Sequence, residues 1–241
     1  MKVINVTKAK GGVGGTTLVI KIAEELAKLK KKTLIVENTY FFLDLMKYLD
    51  MESEVDLNKS IDEISSLIKT GLFEPEEIKE NIHSYNKHID IVVGTRNKDN
   101  RLVGNSVNEL RNKVEGYDYI IFDNQKLILK DFFLFDHNFI VGEINPHNKS
   151  YFKEKFEDEN FSEEDQLRFV NRTSLVINKV FDEEDIKLYG KKRVQNEFSN
   201  VFEVPHTKVS SGKVDVSRIV SFLEGEQPQK KSMFGFLKRR N

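Results

Sequence analysis

The chain has 241 residues, enough to bury one sizeable core in a single α/β domain. Its 38 Lys and Arg nearly cancel its 39 Asp and Glu, so net charge gives no sign of a nucleic-acid partner. The absence of cysteine excludes disulfides and thiolate chemistry, and no apolar run approaches the roughly 18 residues that would span a membrane.

Val3-Ile4-Asn5-Val6 reads as a first strand, entered from Met1-Lys2 without the long apolar stretch of a secretory signal, so a cytoplasmic protein is expected. Lys10-Gly11-Gly12-Val13-Gly14-Gly15-Thr16-Thr17 follows and opens into a helix from Thr17 to about Lys30. Leu18, Ile22, Leu26 and Leu29 mark its apolar face. A strand, a glycine loop and a helix in this order are the context that a phosphate-binding loop requires. Glycines let backbone N–H groups turn inward, and the helix start adds free donors and a positive dipole end. Thr16 lies in the first helical turn, where a hydroxyl reaches a magnesium ion.

Thr33-Leu34-Ile35-Val36 is a continuous apolar run, as expected of a strand buried on both faces. Helices are expected around Ile61–Lys69 and over Pro75–Tyr85, separated by a turn at Gly71. Ile89–Gly94 reads as a strand and Asn105–Val114 as a helix. His83 and His88 stand apart from any metal-ligand spacing and are expected at the surface. Tyr117–Asp123 is an apolar strand ending in Asp, the form of a Walker B motif, in which Asp123 would face Thr16 across a magnesium ion. Further strands are expected at Phe139–Val141, Leu175–Lys179 and Phe202–Pro205, and a closing helix at Ile219–Leu223. The acidic and basic stretch over 149–166 reads as a solvated helix or loop. The alternation predicts a single P-loop NTPase domain over 1–224, with a mainly parallel twisted sheet and helices on both faces.

The glycine loop resembles the deviant loop of the ParA/MinD group of ATPases, Lys-Gly-Gly-x-Gly-Lys-Thr-Thr, and matches it at seven of eight positions. Lys10 is the extra lysine that marks the group. Tyr117–Asp123 resembles the group's Tyr-Asp-x-Ile-Ile-Ile-Asp, and Leu175–Lys179 its strand ending in Asn-Lys. Phe42–Asp50 is similar to a segment of MinD and of the CpaE/TadZ pilus-localisation proteins, with apolar residues expected in the core.

The resemblance implies that ATP or ADP binds at Lys10, Gly11, Gly12, Val13, Gly14, Gly15, Thr16 and Thr17, with Mg2+ held at Thr16 and Asp123. It implies that Asn178 contacts the adenine, although a strand-end turn residue is an equal reading of the same asparagine. It also implies a homodimer in which Lys10 reaches the partner's phosphates, and a role in positioning cargo on a nucleoid or membrane surface.

Two departures concern the chemistry. Gly15 stands where the loop lysine would be, and Thr39 where the second carboxylate of Asp-x-Asp organises the attacking water; Glu37 keeps the first carboxylate, or is a polar strand end. Loss of one charge-assisted hydrogen bond costs ~1.5–3 kcal/mol of binding. Loss of one transition-state donor costs ~10²–10³ in rate. No catalytic residue is therefore assigned, and the expectation is nucleotide binding with little or no hydrolysis. A slow ATPase in which Lys10 or Lys126 compensates and a scaffold without nucleotide are the alternatives; a DNA-bound partition protein lacks a basic stripe outside the tail.

That tail, residues 225–241, begins with a polar break and continues through Lys230 to Arg240 with Met233, Phe234, Phe236 and Leu237 between basic residues. On a helix, Met233, Phe236 and Leu237 share a face that Phe234 borders. It resembles the membrane-targeting helix of MinD, which implies peripheral attachment to an anionic membrane; docking onto its own protein is the alternative.

Overall fold

The computed structural model describes residues 1–9, 11–40, 44–51, 53–71, 73–125, 129–143, 162–180, 198, 200–205 and 214–225. Eight strands form one sheet: β1 (Lys2–Lys8), β2 (Thr33–Val36), β3 (His83–Asn86), β4 (Ile89–Val92), β5 (Tyr119–Asn124), β6 (His137–Glu143), β7 (Thr173–Val180) and β8 (Asn200–Pro205). Their spatial order is β3-β4-β2-β5-β1-β6-β7-β8. Every pairing is parallel except β3 with β4. The expected mainly parallel sheet is therefore present.

Strand alternation divides the core between the two faces. Ile4, Val6, Ile35, Tyr119, Ile121, Phe139 and Val141 face one side, where they pack with α1 (Gly15–Lys28), α2 (Asp44–Tyr48) and the closing helix Ser217–Leu223. Val3, Leu34, Val36, Ile120 and Phe122 face the other, where they meet α3 (Ile61–Thr70), α4 (Pro75–Lys79) and α5 (Asn105–Lys113). A third cluster joins Phe132, Ile140 and Phe198 to Phe169 of α6 (Glu163–Asn171), and Phe132 stacks on Phe169 at 5.0 Å. Helices thus cover both faces.

Local chemistry explains the ends of the helices. Ser60 accepts the Asp62 N–H at the start of α3, and Gly71, at φ 66°, closes it in the left-handed conformation. Pro75 occupies the opening of α4, where its missing N–H costs nothing, and the Glu77 side chain accepts the Glu74 N–H at 2.7 Å. The closing helix, α7 (Ser217–Leu223), is tied down at its end. Lys2 donates to the Leu223 carbonyl, Tyr119 to Glu224, and Lys31 lies 3.2 Å from Glu224.

Three expectations need correction. α1 ends at Lys28, and Leu29, placed on its apolar face by periodicity, is 52% exposed because the chain turns through Lys30 at φ 60°. The helix expected over Pro75–Tyr85 stops at Lys79, and His83–Asn86 forms a hairpin with β4. Turn chemistry decides this: the Asn86 side chain accepts the N–H groups of His88 and Ile89, each at 2.9 Å, and the half-buried His83 and Tyr85 alternate with the exposed Ser84 and Asn86. In the segment after β2, Leu45, Met46 and Leu49 enter the core, but Tyr48 is 61% exposed; Phe42 and Leu43 lie outside the described residues.

Candidate functional site

The site lies at the carboxyl ends of β1, β2, β5 and β7, the edge of a parallel sheet where ligands are bound. β1 runs into the glycine loop, which is anchored by Val13, buried in the core below α1. Gly12 and Gly14 hold φ values of 78° and 83°, which a side chain would strain. Gly14 also caps α1, with no side-chain hydrogen bond at the cap, so the first-turn amides of the helix are not claimed by a capping side chain. From β7, the Asn178 amide donates to the Val13 carbonyl at 2.7 Å. A Cβ on Gly14 would stand 2.4 Å from that amide nitrogen, so the absence of a side chain at 14 is what lets β7 brace the loop.

Thr16 and Asp123, chosen from sequence as a magnesium pair, are brought together. The Thr16 hydroxyl donates to Asp123 Oδ2 at 2.6 Å, and both residues are buried. A third group, Lys8, joins them. Its ammonium donates to Thr16 Oγ1 at 2.9 Å and lies 2.9 Å from Asp123 Oδ1. That oxygen is fully buried and has no well-aligned hydrogen-bond donor, so the lysine charge is its compensation.

Lys8 reaches this place because Gly15 has no side chain. A Cβ on Gly15 would lie 2.6 Å from both Cγ and Cε of Lys8, and 3.0 Å from Cδ. The lysine stem therefore crosses the spot from which a lysine at 15 would start. Sequence reading gave the compensating role to Lys10 or Lys126, both of which lie outside the described residues. The signal for Lys8 was present in the strand period: Ile4, Val6 and Lys8 alternate onto the α1 face, and the last of them is charged.

Hard oxygen donors such as Thr16 and Asp123 suit Mg2+. With Lys8 in this position, however, the ion does not fit. The hydroxyl lone pair already accepts from the ammonium, and the carboxylate is already paired. A dication on the same oxygens would stand beside a positive charge in a buried, low-dielectric spot, where repulsion is strongest.

Glu37 is fully buried and turns to the backbone, accepting the N–H groups of Leu45 at 2.9 Å and Gly94 at 3.1 Å. Burial outweighs these two donors and pushes its carboxyl up to about 8, helped by the nearby negative charges of Asp123 and Asp44. Of the two readings of Glu37, the geometry gives it a bracing role between α2 and the end of β4. Thr39 is buried beside it, and its carbonyl accepts the Thr95 N–H at 3.2 Å.

Four asparagines, of which sequence reading singled out none for this role, link the strand ends on the α3/α5 face. Asn38 donates to Asn124 at 2.6 Å, Asn124 to Asn5 at 2.7 Å, and Asn5 to Asn138 at 2.9 Å. Asn138 ends the chain on the Phe132 carbonyl at 3.1 Å, and Asn38 begins it by accepting the Leu102 N–H at 2.9 Å. Each amide both donates and accepts, so all four are oriented together. The segment after β2 and the end of β5 are thereby tied to each other.

The family model AAA_31, an AAA domain, matches residues 1–127, more than half of the chain. The chain belongs to this AAA-domain family. The match takes in the loop, Thr16, Glu37–Thr39 and Asp123, and it bears out the resemblance to the ParA/MinD group. A curated relative, the uncharacterised protein MJECL24 of Methanocaldococcus jannaschii, is 30% identical over 142 residues, 52% of this chain and 50% of the relative. The chain thus spans about half the length of that relative.

Solved structures share the fold of this AAA-domain chain. A ParA family ATPase from Chlorobium tepidum matches with a TM-score of 0.63 and 17% identity, over 94% of this chain and 90% of the other. A plasmid partition protein from Borrelia burgdorferi bound to AMPPNP matches at 0.64 and 16%, over 93% and 98%. The septum site-determining protein MinD from Pyrococcus horikoshii, complexed with Mg-ADP, matches at 0.59 and 15%, over 88% and 84%.

No helix among the described residues is long and apolar enough to cross a membrane. No cluster of three or more acidic or histidine side chains suited to a metal occurs among them. The His83 ring meets the Lys59 carbonyl at 2.8 Å. Lys10 and the tail residues Met233, Phe234, Phe236 and Leu237 lie outside the described residues.

Proposed function

We propose that the chain is a nucleotide-binding, dimerising positioning protein of the ParA/MinD type with little or no ATP hydrolysis. One observation carries the reading: the backbone of the phosphate loop is kept, while the charged groups around it are rearranged. Gly12 and Gly14 retain the left-handed conformations of the loop, and α1 opens without a capping side chain. Against that, Gly15 and Thr39 replace a lysine and a carboxylate, and Lys8 holds the two side chains that would take the metal. ATP or ADP is the proposed ligand, supported by the AMPPNP and Mg-ADP in the two structurally similar proteins. Peripheral attachment to an anionic membrane through Met233, Phe234, Phe236 and Leu237, with a homodimer as the attached species, completes the proposal.

A slow ATPase is the second reading, and one observation favours it: an ammonium, that of Lys8, still lies within 2.9 Å of Thr16. Titration with a fluorescent ATP analogue, followed by steady-state phosphate release at saturating ATP, separates the readings. Saturable binding with turnover at least ~100-fold below that of an active ParA or MinD protein is expected. Turnover equal to such a protein overturns the proposal, and absence of any binding leaves only the scaffold.

A further inference from the structure

We propose that Lys8 is the resident cation of this site, standing in for the divalent metal, so that the chain binds nucleotide without Mg2+. The inference rests on the nucleotide-binding reading above and adds how the phosphates are neutralised.

Three observations carry it. The ammonium touches both side chains that would ligate a metal, Thr16 at 2.9 Å and Asp123 at 2.9 Å, and these two touch each other at 2.6 Å. Asp123 is fully buried, so its charge needs a permanent counter-charge, and Lys8 supplies it from within the same chain. Gly15 is the space through which the lysine stem passes: any side chain there would press on Cγ and Cε at 2.6 Å. The glycine at 15 and the lysine at 8 therefore form one arrangement rather than a loss and an unrelated charge.

An ammonium has three N–H donors. One is donated to Thr16, and the ammonium compensates Asp123 by charge at 2.9 Å, so N–H capacity is left for a phosphate oxygen at the start of α1. A metal ion would hold phosphate oxygens through open coordination positions, whereas Lys8 offers a single charge-assisted hydrogen bond. Such a site binds phosphates by charge and by backbone N–H groups, but it lacks the double charge that stabilises a transferring phosphoryl group. Binding without turnover follows from the same geometry.

The test measures the affinity of purified full-length protein for mant-ADP and mant-ATP, in excess EDTA and in millimolar Mg2+. The wild-type dissociation constant is expected to agree within about threefold between the two conditions. Gly15→Ala, which drives the Lys8 stem aside, and Lys8→Ala, which removes the ammonium, are each expected to bind at least tenfold more tightly with Mg2+ than without it. Wild-type protein that binds at least tenfold more tightly with Mg2+ overturns the metal substitution and leaves nucleotide binding standing. Wild-type protein that binds neither nucleotide under either condition overturns nucleotide binding itself. If Lys8→Ala does not fold, the wild-type comparison and Gly15→Ala decide the matter. Variants as indifferent to Mg2+ as the wild type would show that Lys8 is not what replaces the metal.

Discussion

Lys8→Met removes the ammonium while keeping most of the stem, and its consequence can be worked out from burial. The Asp123 side chain is fully buried and that of Lys8 is 13% exposed, so their attraction is little screened by solvent. Breaking a buried pair from one side costs about 3–5 kcal/mol, because the remaining charge is left without compensation. For a chain of this size that corresponds to a fall in Tm of roughly 6–20 °C. Removing both charges, as Lys8→Met with Asp123→Asn, leaves no lone ion and is expected to cost less than Lys8→Met alone. Urea unfolding of the wild type, both single variants and the double variant closes a double-mutant cycle. Strong positive coupling that changes little between low and moderate salt is expected. A cost below about 1 kcal/mol for Lys8→Met, the range of an exposed surface pair, would refute the buried-pair reasoning.

Glu37 keeps its proton to about pH 8 when folded and loses it near 4.5 when unfolded, so the pair of states makes stability fall as pH rises between those values. Glu37→Gln should flatten that fall, by on the order of 4–5 kcal/mol across the window, as read by urea unfolding at several pH values. His137, buried against Phe139 and Phe222, has its pKa lowered to about 4 from 6.5, so stability is lost as pH drops through that range. His137→Phe should leave the Glu37 dependence unopposed, so that the variant gains stability as pH falls from 6.5 to 4.5 where the wild type stays level; a variant with the wild-type pH profile would show that another group is responsible. Together the two groups oppose each other between about pH 4.5 and 6.5, so wild-type stability should decline mainly above 6.5. Gly14→Ala combines a strained φ of 83° with a Cβ 2.4 Å from Asn178, and should cost more than the ~1 kcal/mol of an ordinary helix-cap substitution while weakening mant-nucleotide binding. Truncation after Gln229 should abolish co-sedimentation with anionic liposomes without changing Tm, whereas retention of binding by the truncated protein would remove the tail from the proposal.

Much of this fold is written in local patterns. Buried runs such as Thr33–Val36 and Tyr119–Asp123 have no polar alternation to place them at an edge, and they are interior strands, β2 between β4 and β5 and β5 between β2 and β1. The glycine loop was legible because a turn that presents N–H groups inward demands residues without side chains at particular places, and Gly12 and Gly14 occupy them. The β3–β4 hairpin was not legible, since Ile78 and Ile82 keep a helical spacing that competes with the Asn86 turn, and only pairing with β4 decides between them. The asparagine chain was equally hidden. Asn5, Asn38, Asn124 and Asn138 are far apart in sequence, and each alone reads as a strand-end or turn residue. They become one system only when the order β2-β5-β1-β6 places them side by side.

The meaning of Gly15 changes for the same reason. From the loop alone it is a missing lysine, and putting that lysine back is the obvious repair. In the folded chain the space above it belongs to Lys8, whose stem a new side chain would strike at 2.6 Å. A lysine at position 15 and the present Lys8 conformation exclude each other on steric grounds, before their like charges are counted. The substitution Gly15→Lys is therefore expected to displace Lys8 from Thr16 and Asp123, while Thr39 stays as it is. Two cationic arrangements are open to this fold, a loop lysine working with a metal or a strand lysine working in its place, and the residue at 15 selects between them.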